Sequence, residues 1–285
     1  MTPEIPTSPK ANFRIVPVRD LDAAALGKLS KDMSLSLSVE DMLAVQVHFR
    51  DDLQRDPTDV ELEVIAQTWS EHCKHRIFGA EINYEKDGCV ETVDSIFKSY
   101  VKAVTDQVMA NKPDFVLSCF HDNAGFIRLD DEYAVCLKTE THNHPSAIEP
   151  YAGANTGLGG VIRDILGAGL GAKPIGSLDV FCFGPPETPA NEVKGDTIHP
   201  IGMLRGVVRG VRDYGNRMGI PTVTGAIAFD PKYTYNPLVF CGTAGVIRIP
   251  DIDKVVGAGQ HVISVGGRTG RDGLHGATFS SAALD

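Results

Sequence analysis

No run of apolar residues in this 285-residue sequence approaches the roughly 20 that a membrane-crossing helix requires, which argues against a helical span. The opening stretch, "MTPEIPTSPKANF", lacks the apolar centre of a signal peptide, so a cytoplasmic location is expected. Basic charge is also scarce. Against 37 acidic residues stand 27 basic ones, a net charge of −10, and a sequence-independent nucleic-acid surface needs the opposite balance. Any anionic ligand must therefore be held locally. The six cysteines (Cys73, Cys89, Cys119, Cys136, Cys182, Cys241) include no CxxC pair, and four of them sit in apolar runs where a thiol packs as a small hydrophobe. Neither a disulfide framework nor a zinc ribbon is expected. The Gly-rich stretch "GGRTGRDGLHG" lacks both the GK[ST] ending of a Walker A loop and the GxGxxG spacing.

What is present is a globular composition, 42% hydrophobic, in a length that suits one large domain or two medium ones. Residues 1–13 read as a polar, Pro-rich tail, and 14–76 as a helical region. In that region "SVEDMLAVQVHFRDDL" places Ser38 three residues before Asp41. "TDVELEVIAQTWSEHCKH" sets the capping pair Thr58 and Glu61 ahead of an apolar stripe of Leu62, Ile65, Ala66 and Trp69.

Beyond 77 the periods mix. Strands are expected at 79–84, 114–119 and 132–140, helices near 92–110 and from about 156, then the strand "PIGSLDVFCFG", a long helix near 199–218, and strands at 221–229 and 238–249. The fold class is α/β, with a mixed sheet and helices on one face, over 77–250. "PPETPANEVKGD" reads as a surface excursion. From 251 a further strand, "HVISVGG", runs into the Gly-rich loop, where Arg268 and Arg271 add charge. Residues 251–285 thus look like the start of another domain, and the chain like a fragment.

Chemistry concentrates at "LKTETHNHP". If residues 132–144 stay extended, Tyr133, Val135, Leu137 and Thr139 share the face that anchors the strand in a core. Lys138, Glu140, His142 and His144 then line the other face in steps of about 7 Å, and Pro145 keeps His144 extended. In "YAGANTGLGGVIRDILG", Asn155 or Thr156 is the expected helix cap. Gly157, Gly159 and Gly160 allow close approach, and Arg163 and Asp164 point about 100° apart, one able to meet an anion and the other a metal. His72 and His75 of "WSEHCKH" share a helix face at i, i+3, a spacing open to zinc but without a third ligand on the element. Asp122-Asn123 occupies a bend between two strands.

"TWSEHCKH", "LKTETHNHPSAIEPYAGANTGLGGVIRDILG", "GVRDYGNRMGIPTVTGA" and "VGGRTGRDGLHGATFSS" together resemble phosphoribosylformylglycinamidine synthase of the PurL type, over about 60–285. The resemblance implies a PurM-like N-terminal domain followed by the start of a C-terminal one. It also implies ATP-dependent conversion of formylglycinamide ribonucleotide and ammonia to formylglycinamidine ribonucleotide, ADP and phosphate. Ammonia would come from glutamine through a glutaminase subunit, with a small third subunit in some systems, and a dimer through the sheet is open to such a chain. By motif, His72 matches an active-site histidine and His75 an ATP contact, although many members carry Tyr there. Lys138 matches an ATP contact, and Glu140 and Asp164 match Mg²⁺ ligands. Thr141, His142, Asn143, His144 and Arg163 match substrate contacts, with His142 the proton acceptor. The family's later glutamine, further acidic ligand and second half are not in this sequence, so the fragment alone is expected to be inactive.

Other readings are another ATP-using PurM-like enzyme, a non-catalytic nucleotide- or partner-binding domain, and a zinc hydrolase built on His72, His75, His142 and His144. The "HNHPSAIEP" stretch argues against the first of these.

Overall fold

The structure is a computed structural model that describes residues 13–267, 270 and 273–280, so Arg268 and Arg271 lie outside the described residues. Two compact units divide the chain: residues up to 103 together with those from 266 on, and residues 104–265.

Side-chain caps set the helices of the first unit. Asp22 accepts from the Ala25 amide and starts α1 (Ala23–Asp32). Ser38 and Asp41 form a reciprocal capping box ahead of α2 (Val39–Val47), and Thr58 and Glu61 form another ahead of α3 (Asp59–Trp69), as their spacing in the sequence predicts. The helices close over Leu26, Leu35, Met42, Phe49, Leu62 and Ala66. Arg76 grips the Asp41 carboxylate with two 2.8 Å hydrogen bonds, and the guanidinium holds that acid below its usual range.

One expectation fails at the end of α3. The sequence reads as a single helix through "SEHCKH", but Ser70 turns extended (ψ 155°) and caps a separate short helix, α4 (Glu71–Lys74); its hydroxyl oxygen accepts from the Cys73 amide, which competes with helix continuation. His75 ends α4 in a left-handed conformation (φ 53°), so His72 and His75 do not share a helix face. The next residues are held by Glu71, whose carboxylate accepts from the Ile77 amide at 2.9 Å.

Residues 89–94, read in part as the start of a helix, instead form β2 (Cys89–Asp94), paired antiparallel with β1 (Glu81–Lys86). The two-residue turn is Asp87-Gly88, both at positive φ, the strongest short hairpin signal a sequence carries. After a π-type turn, Phe97–Lys102, the chain continues as α5 (Ala103–Asn111).

The second unit is a six-stranded mixed sheet. Its order is β3 (Val116–Ser118), β4 (Gly125–Arg128), β5 (Tyr133–Thr141), β8 (Leu238–Arg248), β6 (Lys173–Phe183), β7 (Thr222–Phe229). Only β6 and β7 run parallel. Three helices accompany the sheet: α6 (Asn143–Ile148), α7 (Pro150–Gly167) and α8 (Pro200–Met218), the last stopped by Gly219 at φ 71°. Leu158, Val161 and Ile162 of α7, Val207 of α8, and Phe181, Phe183 and Val239 of the sheet form the main core. No helix among the described residues is long and apolar enough to cross a membrane.

Three further expectations need correction. The core side of β5 is Ala134 and Cys136, both fully buried, whereas Leu137 is 49% exposed on the open side; Lys138 and Glu140 therefore extend the helix-covered face rather than oppose it. Helix α7 starts at Pro150, not near 156, because Pro at the first position suits a helix start; Asn155 lies mid-helix and donates to the Gly210 carbonyl of α8. Residues 261–267 form no strand, and Val262 and Val265 are almost wholly exposed, with no partner strand among the described residues.

Candidate functional site

Strand β5 keeps its alternation only as far as Thr141. His142 stands at the N-cap position of α6 without a side-chain capping bond, and Asn143, His144 and Pro145 form that helix's first turn, where proline is tolerated and does not force an extended neighbour. The four-residue charged edge expected from the sequence is therefore two residues long, Lys138 and Glu140, followed by a turn. That turn is tied down at three points. His142 donates its amide to the Val239 carbonyl at 2.9 Å, the Asn143 side-chain oxygen accepts from the Val239 amide at 2.8 Å, and the Ser146 hydroxyl donates to the His142 carbonyl at 2.6 Å.

Helix α7 draws these groups together because one of its faces is bare at three glycines, Gly153, Gly157 and Gly160. Positions 153, 157, 160 and 164 follow the helical 3–4 spacing and share a face. A Cβ at Gly153 would strike the Ser146 backbone, one at Gly157 would press on the His142 Cβ at 3.1 Å, and one at Gly160 would overlap the Glu140 carboxylate. The next residue along this face is Asp164. Close approach, foreseen for a phosphate or a backbone, is used here by the site's own side chains.

Lys138 joins the two elements. Its ammonium stands 2.8 Å from Asp164 Oδ2 of α7 and 3.9 Å from Glu140 Oε2 of its own strand. The three side chains are 29–36% exposed, dry enough to interact and open enough to meet a ligand. Two carboxylates and one ammonium leave one excess negative charge.

Arg163 points away from Asp164, as expected from their helical offset, and donates to the Tyr214 hydroxyl at 3.4 Å. Tyr214 also packs over Gly159. It lies inside a stretch singled out in the sequence, but no local pattern links it to Arg163. Thr141 ends β5 exposed, on the face opposite Glu140. His72 and His75 are exposed and belong to the first unit.

The sequence singled out the Asp122-Asn123 bend but not its partner: Asn123 donates through Nδ2 to Asp164 Oδ1 at 3.2 Å. Behind Glu140, Cys241 and Asp179 continue the same row across the sheet. Asp179 is only 4% exposed; burial pushes its carboxyl up, against a hydrogen bond from Thr222, and burial likewise pushes up the Cys241 thiol.

Among the described residues no group of three or more His, Cys, Asp or Glu side chains is placed to hold a metal ion, and a multi-histidine zinc centre has no support. The pair Glu140 and Asp164 suits a different ion. Mg²⁺ takes one or two carboxylates and completes its shell with water and ligand phosphate oxygens.

Residues 121–247 match the family described as "AIR synthase related protein, N-terminal domain", and residues 26–76 match "Formylglycinamide ribonucleotide amidotransferase linker domain". Phosphoribosylformylglycinamidine synthase subunit PurL of Thermoplasma acidophilum is 40% identical over 274 residues, 95% of this chain and 32% of the relative. The same subunit of Rhodococcus erythropolis is 39% identical over 236 residues, 82% of this chain and 27% of the relative. A structure of T. maritima PurL complexed with FGAR superposes with a TM-score of 0.53 at 34% identity, covering 82% of this chain and 31% of that one. The chain thus spans about a third of the length of these relatives.

Proposed function

The chain belongs to the PurL family, and from that premise we propose that it carries part of the Mg-nucleotide and substrate site of an enzyme that converts formylglycinamide ribonucleotide, ATP and ammonia to formylglycinamidine ribonucleotide, ADP and phosphate. The observation that carries this reading is the junction at Lys138, which sets the carboxylates of Glu140 and Asp164 side by side from two different elements.

The chemistry asks for few groups. The amide oxygen of the substrate attacks the γ-phosphorus of ATP and ADP departs; ammonia then adds at the carbon, phosphate leaves with the oxygen, and the nitrogen loses a proton. Lys138 compensates phosphate charge. Glu140 and Asp164 would hold Mg²⁺, which, when bound, neutralises the triphosphate. His142, beside Glu140 on the α7 glycine face, is assigned by motif to take the proton, a task suited to an imidazole. Thr141, Asn143, His144 and Arg163 are assigned to the substrate on motif resemblance. The Asn143 oxygen is already committed to Val239, which leaves its amide nitrogen for that role. His72 as an active-site histidine and His75 as a nucleotide contact rest on motif alone. A glutaminase partner, and a small third subunit, belong to the same reading, as does a location in the cytoplasm.

Calorimetric titration of the chain with ATP, with and without Mg²⁺, tests it. Binding that needs Mg²⁺ and is lost in both Glu140→Gln and Asp164→Asn supports the assignment. Titrations unchanged in both variants refute it.

A further inference from the structure

Asp164 is held from two sides, and only one of them is Lys138. Its Oδ2 faces the ammonium, while its Oδ1 accepts from Asn123 Nδ2 at 3.2 Å. Asn123 sits in the loop between β3 and β4, 41 residues from Asp164 in the chain, so nothing local holds it there.

What holds it is the neighbouring Asp122. That carboxylate accepts from the Gly169 amide at 2.7 Å, from the Asn123 amide at 2.8 Å and from the Lys254 ammonium at 2.6 Å. Lys254 in turn donates to the Gly167 carbonyl at 2.6 Å, at the C-terminal end of α7, where a cation also suits the helix dipole. Burial raises the Asp122 pKa, but Lys254 and the two amides outweigh it and leave the acid below its usual range. The loop is therefore clamped onto the end of the helix that carries Asp164. Asn123 reaches over Gly167: a Cβ there would stand 3.1 Å from Asn123 Nδ2, tighter than ordinary contact. A residue without a side chain at 167 is what lets the amide lie flat enough to reach the carboxylate one turn earlier.

We propose that Asn123 is a positioning residue for the cation site: it fixes the Asp164 carboxylate so that one oxygen is spent on the amide and the other is turned toward Lys138 and Glu140. The inference rests on the reading of Glu140 and Asp164 as metal ligands and adds to it the group that aims one of them. A carboxylate held at one oxygen presents the other in a single direction, which lowers the ordering cost of capturing an ion.

The test uses the full 285-residue chain with Mn²⁺ alone, by spin-resonance titration, and with ATP at varied Mg²⁺. Asn123→Ala is expected to raise the cation midpoint about 10-fold, the low end for removing a group that orients a ligand, while ATP affinity at saturating Mg²⁺ and the unfolding midpoint stay unchanged. Gly167→Ala should raise the midpoint as well, by displacing the amide, and should add nothing in the Asn123→Ala background. A merely structural role for Asn123 would shift the unfolding midpoint and produce no such coupling. Cation binding that is intact in Asn123→Ala, or additive effects in the double variant, overturns the proposal. If the unsubstituted chain binds no cation, the metal reading itself falls, and the role of Asn123 falls with it.

Discussion

Lys138 and Asp164 meet at 2.8 Å between a strand and a helix that the sequence separates by 26 positions, and this contact decides how the second unit's polar groups are arranged. Without the ammonium, the carboxylates of Glu140 on β5 and Asp164 on α7 would lose the cation they share.

Lys138→Met should therefore act twice. Loss of the shared cation is expected to cost about 1 kcal/mol of stability in the absence of ligand, the usual scale for a partly exposed pair. Nucleotide affinity should fall at least about 10-fold as well, since a phosphate loses its counter-charge. Denaturant unfolding and ATP titration on the same variant check both parts; a variant that binds ATP normally would remove Lys138 from the site.

Gly160→Ala tests the bare helix face. The added methyl would overlap the Glu140 carboxylate, which has the strand behind it, so an overpacking cost of about 1–3 kcal/mol is expected. Nucleotide binding should weaken more than in an alanine substitution at Gly195, a loop glycine with open space around its Cβ position but a positive φ. Equal effects at the two positions would count against a special role for the bare face.

Acid sensitivity of the first unit should trace in part to Glu61. Hydrogen bonds from Arg55, then from the Thr58 amide, hold its carboxyl at about 2. The folded value lies below the unfolded one, near 4.3 for a glutamate, so its contribution is present above about pH 4.3 and is lost as the pH falls toward 2. Because the side chain is partly exposed, salt should reduce the effect. Glu61→Gln is expected to flatten the acid limb of the unfolding profile, and an unaltered limb would exclude the capping carboxylate as its source.

Asp179 predicts the opposite sign. Burial raises its folded pKa above the unfolded value near 3.9, so as pH rises the unfolded chain ionises first and stability declines from about pH 4 until the folded group also ionises. Asp179→Asn cannot ionise but can still accept from Thr222. Its stability relative to the unsubstituted chain should improve between pH 4 and pH 7; a constant gap over that interval would contradict the assignment of burial as the cause.

The capped helices and the mixed sheet were legible because their signals are local: Ser38 with Asp41, Thr58 with Glu61, and alternation along β5. That Glu140 and Asp164 belong together came from the motif resemblance and not from their spacing, and which side of β5 faced the core was not legible at all. Composition alone cannot tell a strand whose apolar side is open from one whose apolar side is buried, and here Leu137 is the exposed residue. Asn123 illustrates the other limit. Its partner is set by the clamp of Asp122 on Lys254, a contact across 132 positions that no periodicity encodes. The broken helix at Ser70 and the hairpin at Asp87-Gly88 are different again, since serine caps and Asp-Gly turns are both readable patterns, here outweighed by the helical period around them.

The glycines of α7 have a cost that reaches beyond local fit. Each interior glycine gives up about 1 kcal/mol of helix propensity relative to alanine, and the helix carries four before its last residue. Such a segment has little tendency to coil into a helix by itself, and an excised 150–167 peptide should be unstructured in water. The line that Ser146, His142, Glu140 and Asp164 occupy thus comes into being only when sheet and helix dock. A partly folded chain would hold no rudimentary version of it.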